Sequence, residues 1–160
     1  MAVKNRKEGL TVDTIYKVIL LVVTASFIIA LALVIFKPFG YHNLNSLKEI
    51  EATNIVVQKP ENNSQYFVFV YEEGADETEM VAEKIVEYAK YARNNKDAKQ
   101  IYVVKKTSDN INTILSYLSA SFEEENGFPC LLTISSGSVS QTKSTVSTIL
   151  DTLDTEMKNK

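Results

Sequence analysis

The sequence predicts an α/β domain, a mixed sheet flanked by helices, preceded by one N-terminal transmembrane helix. Three observations predict it. Residues 18–36 (VILLVVTASFIIALALVIF) are nineteen consecutive uncharged residues, which as a helix rising ~1.5 Å per residue nearly cover the ~30 Å hydrocarbon core of a bilayer with every backbone group satisfied internally. Two apolar runs at 66–71 and 101–104 bracket a stretch of helical periodicity, the spacing of a βαβ unit with parallel strands. A third apolar run, 130–134, is opened by Pro129 and closed by a small-residue turn at Ser135-Ser136-Gly137-Ser138, which predicts a hairpin and hence an antiparallel pair.

The flanks of the first run set its orientation. Lys4, Arg6, Lys7 and Lys17 precede it and Lys37 follows, and short basic segments stay on the cytoplasmic side. Residues 1–17 are therefore expected in the cytoplasm, 18–36 across a cell membrane in contact with its lipid, and the C-terminal domain outside. Ala30-Leu31-Ala32 is a pattern that a signal peptidase accepts, but the apolar residues 33–36 beyond it lengthen the run past an ordinary signal core. The reading is an uncleaved single-pass anchor. About 120 of the 160 residues remain, enough for one compact domain. From Pro38 onward 12 Lys and Arg stand against 18 Asp and Glu, a net of −6, and an acidic domain without a basic stripe argues against nucleic acid as a partner.

Lys37-Pro38-Phe39-Gly40 breaks the helix, and residues 37–64 form a juxtamembrane connector with the first elements of the outer domain. Within it a short helix over 46–51, a short strand over 54–58 and a turn over 60–64 are predicted. Asn62-Asn63-Ser64 has the spacing of a glycosylation acceptor, a triplet that also arises by chance. The run 66–71 (YFVFVY) has no polar residue on either face and reads as a central strand. A polar loop over 72–77 leads into a helix whose buried stripe is Val81, Ile85, Tyr88 or Ala89, and Ala92, with Asp76 or Thr78 as candidate caps. After strand 101–104, Asp109 opens a second helix with Ile111, Ile114, Leu115 and Leu118 inward. The edge strand 139–142 follows the hairpin turn, and Val146, Ile149, Leu150, Leu153 and Met157 mark a C-terminal helix capped by Ser144 or Thr145.

That order, with a proline opening the third strand and a glycine hairpin after it, resembles the thioredoxin fold; the segment 127–142 (GFPCLLTISSGSVSQT) looks like that family's cis-proline strand, turn and edge strand. The fold class is thus thioredoxin-like, over domain residues 65–160. Within that family the chain resembles membrane-anchored thioredoxin-like proteins of Gram-positive type bacteria, including bacteriocin-transport accessory proteins. In family members with redox activity, the resemblance implies a Cys-x-x-Cys where the first strand meets the first long helix. Here that place reads Glu72-Glu73-Gly74-Ala75-Asp76-Glu77-Thr78 and holds no sulfur. With one cysteine in the whole chain, no intramolecular disulfide can form.

The resemblance further implies a peptide groove beside Phe128 and Pro129, with Gly74 and Ala75 opposite. Pro129 is cis in that reading; alternatively it merely starts a strand in trans. Cys130, after Pro129, is either a packed apolar residue beside Leu131 and Leu132 or a thiol placed for mixed disulfides. No catalytic residue, cofactor or metal is assigned. The one histidine, His42, falls in the connector, so neither a Ser/His/Asp set nor a zinc site is expected in the domain, and no glycine-rich phosphate loop is present. The acidic 72–79 stretch offers oxygen to a hard cation, but reads more simply as a solvated loop and first helical turn favoured by the helix dipole; Glu123-Glu124-Glu125 reads as a solvated turn. The expected function is a redox-inactive binding or accessory module at the membrane, its partner an exported or membrane protein. The alternatives are a monothiol oxidoreductase or isomerase using Cys130, and a structural subunit for which the anchor matters most.

Overall fold

The computed structural model describes residues 12–35, 40–58, 65–124 and 127–158. Lys4, Arg6 and Lys7, the break at 37–39, the 60–64 turn with Asn62-Asn63-Ser64, and Glu125 lie outside the described residues. The chain divides into two units, residues 1–39 and 40–160.

In the first unit, α1 (Val12–Ile35) is a helix of 24 residues. It starts one and a half turns before the uncharged run, where an Asp13–Lys17 ion pair of 2.8 Å spans one turn. Its Thr24 hydroxyl donates to the Leu20 carbonyl at 2.8 Å, so this hydroxyl inside the apolar stretch is satisfied without water. Residues 12–32 make the one helix among the described residues that is long and apolar enough to cross a membrane, by length and composition.

The second unit is a three-layer α/β domain. Its elements are β1 (Gln65–Tyr71), α2 (Asp76–Asn94), β2 (Gln100–Lys105), α3 (Ile111–Ser116), β3 (Cys130–Ser135), β4 (Ser138–Lys143) and α4 (Val146–Lys158). The sheet order is β2-β1-β3-β4, parallel between β1 and β2 and antiparallel in the other two pairs. A βαβ unit joined to a ββα unit in one mixed sheet is the thioredoxin-like fold.

β1 is central, and all six residues of YFVFVY are buried. Alternation sends Phe67, Phe69 and Tyr71 into the core beneath α2 and α4, where Val81, Ile85, Tyr88, Ala92, Ile149 and Leu153 meet them. Tyr66, Val68 and Val70 face the opposite layer with Ile114, Ile55, Leu132 and Cys130. Tyr88 packs edge-on against Phe67 at 5.5 Å, and its hydroxyl donates to the Lys99 carbonyl at 3.0 Å; burial pushes the phenol upward from its ordinary pKa. Tyr88→Phe keeps the ring and drops that bond, and should lower the unfolding free energy by about 1 kcal/mol in a urea titration.

The connector departs from the predicted elements. No helix covers 46–51 and no strand covers 54–58: two 3-10 turns occupy Leu44–Ser46 and Ala52–Asn54. The first is closed by a reciprocal cap, the Asn43 side chain accepting from the Ser46 N–H while the Ser46 hydroxyl accepts from the Asn43 N–H. Between the two turns the chain runs along β2, with Val103 N–H donating to the Lys48 carbonyl and Ile50 N–H to the Val103 carbonyl, both at 3.1 Å. Leu44 and Leu47 enter one core layer and Ile50 and Ile55 the other, so this segment crosses from face to face around the β2 edge. Neither helical nor strand spacing serves that path.

The caps also differ. α2 starts from Ala75 without a side-chain cap, Asp76 being its first residue, and Thr78 is buried. α3 is shorter than predicted and starts after Asn110 rather than Asp109; the Asn110 side chain accepts from Thr107 N–H and donates to the Lys105 carbonyl, both at 2.8 Å. At α4, Thr145 Oγ1 accepts from Thr148 N–H at 3.4 Å. The β3–β4 turn has positive φ at Ser136 and Gly137, the form whose twist suits a two-residue hairpin.

Candidate functional site

Cys130 pairs with Val70 across the β1–β3 ladder, which brings the start of β3 alongside the end of β1, where the 72–75 loop departs. The Phe128–Pro129 peptide is cis. Pro129 is buried and Phe128 half-buried, its ring edge-on to Phe122 at 5.2 Å. A Cβ built on Gly127 would overlap the Phe122 ring and lie 2.5 Å from the Glu123 carbonyl, so only glycine lets the chain pass Phe122 and present Phe128.

Lys106 joins this strand start to the loop. Its Nζ lies 4.9 Å from the Phe128 ring centroid and 3.1 Å from Glu72 Oε2, while its backbone N–H donates to the Tyr71 carbonyl at 2.7 Å. The adjacent Lys105 pairs with Glu73. That hydrogen bond holds the Glu73 carboxyl below the usual carboxylate range. Its small surface contribution is present above the ordinary carboxylate pKa and is lost as pH falls through the lowered one. Gly74 has φ +80 and open space where a side chain would stand, and Ala75 begins α2. The structure therefore ties Phe128 to the Glu72 end of the loop through Lys106 and leaves Gly74 open to solvent.

Cys130 is fully buried in the β3 core, and burial pushes its thiol up to about 12. No basic group is among the causes of that shift, in contrast to the electropositive settings that make thiolates reactive. Among the described residues, no group of three or more His, Cys, Asp or Glu is arranged to hold a metal ion; Glu123 is exposed, as are Glu72, Glu73, Asp76, Glu77 and Glu79.

A cleft lies elsewhere, between the 42–45 segment and α2. It is lined by His42, Asn45, Tyr71, Thr78, Glu79 and Glu83, among others. Sequence reasoning missed it because its two walls are distant in the chain and follow no shared period. Thr78 is 1% exposed and its Oγ1 has no hydrogen-bond partner. Thr78→Val exchanges that hydroxyl for a methyl of similar size and should raise stability by about 1 kcal/mol in a thermal melt; a comparable loss would reveal a partner for the hydroxyl.

These features define a thioredoxin-like α/β domain whose loop after β1 carries carboxylates and no sulfur. No family model matches the chain, and no curated protein matches it. Among solved structures it is similar to the oxidised thioredoxin from Plasmodium falciparum, with 14% identity and TM-score 0.45 over 68% of this chain and 96% of that one. It is also similar to thioredoxin f2 from Chlamydomonas reinhardtii, with 10% identity and TM-score 0.45 over 68% and 94%. A third likeness is to the J-Trx1 fragment of ERdj5, with 16% identity and TM-score 0.38 over 59% of this chain and 44% of that one. The fold assignment rests on the strand order and pairing rather than on these distant likenesses.

Proposed function

We propose that the chain is a single-pass membrane protein, N-terminus cytoplasmic, whose extracytoplasmic thioredoxin-like domain (residues 65–160, with 37–64 as connector) is a redox-inactive binding or accessory module. The observation that carries this reading is the loop after β1: Glu72 to Thr78 stand where the resemblance would place a dithiol, and the chain's one cysteine is buried within β3. What remains at that end of the sheet is shape and charge, with Phe128, Pro129, Gly74 and Ala75 bordering a groove for an extended segment of an exported or membrane protein. Residues 18–36 hold the domain against lipid, and no cofactor is needed. This is the role that the resemblance of residues 66–157 to membrane-anchored thioredoxin-like accessory proteins implies. A monothiol enzyme is disfavoured by the burial of Cys130.

The test is a photoreactive residue in place of Phe128, with a second at the exposed Gln141, in native membranes carrying the full chain. A discrete protein adduct from position 128 and none from 141 is expected. Absence of an adduct at 128, or equal labelling from both, removes the groove.

A further inference from the structure

The cleft beside α2 has a volume of about 670 Å³, within the range of cavities that enclose a ligand or an inserted side chain. Leu44, Tyr71, Ala82 and Val86 supply apolar lining, and Glu79 and Glu83 stand one turn apart on α2. Neither carboxylate has an ion pair among the described residues, whereas the other acids of the lining are engaged: Lys84 takes Glu87 and Lys105 takes Glu73. Lys90 also lines the cleft, about three turns along α2 from Glu79. Thr78, also in the lining, contributes the buried and unpartnered Oγ1.

An unpartnered buried hydroxyl costs free energy, and in the same lining two carboxylates without an ion pair are acceptors lacking a donor, while the hydroxyl can accept as well as donate. Above an apolar lining, that set is complementary to an alkyl chain ending in an ammonium or guanidinium: the stem covers Ala82 and Val86, and the head donates to Glu79, Glu83 and Thr78. We propose that this cleft receives a lysine or arginine side chain presented by a partner polypeptide. The acidic wall rejects an anionic partner by the same chemistry. The lining shares no residue with Phe128, Pro129, Gly74 or Ala75, so the proposal stands apart from the groove at the start of β3.

The test uses the full chain in phosphatidylcholine nanodiscs, titrated calorimetrically with the peptide acetyl-Ala-Lys-Ala-amide. Saturable binding is expected, weakened about tenfold in Glu79→Gln/Glu83→Gln and severalfold in Thr78→Val. Melting of both variants no lower than the parent shows that the fold is kept. Acetylating the lysine amine of the peptide should abolish binding to the parent chain, an arm that needs no variant. Unchanged affinity in the variants, equal binding of the acetylated peptide, equal binding of free butylamine, or no saturation up to about 10 mM would each overturn the assignment.

Discussion

Cys130 in the folded chain is expected to resist alkylation at pH 8 about a thousandfold more than a free thiol, and to label at an ordinary rate once the domain is denatured. The reason is twofold. A thiol pushed up to about 12 holds roughly a thousandth of the thiolate of an ordinary cysteine at that pH, and the thiolate is the nucleophile. The residue is also 0% exposed within β3, so a reagent reaches it only through opening of the sheet, and labelling should follow the opening equilibrium. Its rate should rise with urea well before the main unfolding transition only if β3 frays locally. Labelling within seconds in the native state would place the sulfur at the surface and revive the monothiol enzyme.

Phe69→Ala is expected to lower the stability of the α/β domain by about 3–5 kcal/mol, a large share of the 5–15 kcal/mol typical of a domain. Phe69 is 0% exposed at the centre of β1 and pairs on one side with Val103 and on the other with Leu131. Its ring stacks on Tyr71 at 5.7 Å. No neighbour can follow an alanine inward without breaking a ladder that is hydrogen-bonded on both edges, so a cavity persists. The melting temperature of the domain should fall by more than about 10 °C. A loss below about 1 kcal/mol would mean that β1 is not the middle strand.

Much of this architecture is legible in the residues. The uninterrupted apolar run 66–71 had to be a strand covered on both faces, and Val81, Ile85, Tyr88, Ala89 and Ala92 are all buried along α2 as their spacing requires. Turn chemistry at Ser136-Gly137 and the apolar positions of α4 were equally local signals. The connector was not legible, because Leu44, Leu47, Ile50 and Ile55 serve two opposite core layers and their spacing follows the route around β2 rather than any regular element. Nor was the link between the loop and Phe128: Lys106 reads as one more basic residue after a strand, and only the fold sets it between Glu72 and an aromatic ring. The cleft on α2 depends on residues 42–45 meeting 78–90, a closure that no local pattern encodes.

The central claim is that the domain works by binding at a sulfur-free site. It is tested most directly by placing the photoreactive residue at position 128 in a Cys130→Ala background, with a thermal melt confirming that the domain still folds. The same adduct at the same yield as in the parent chain is the predicted result. Loss of the adduct from a folded Cys130→Ala protein would contradict the account, because capture would then depend on the thiol.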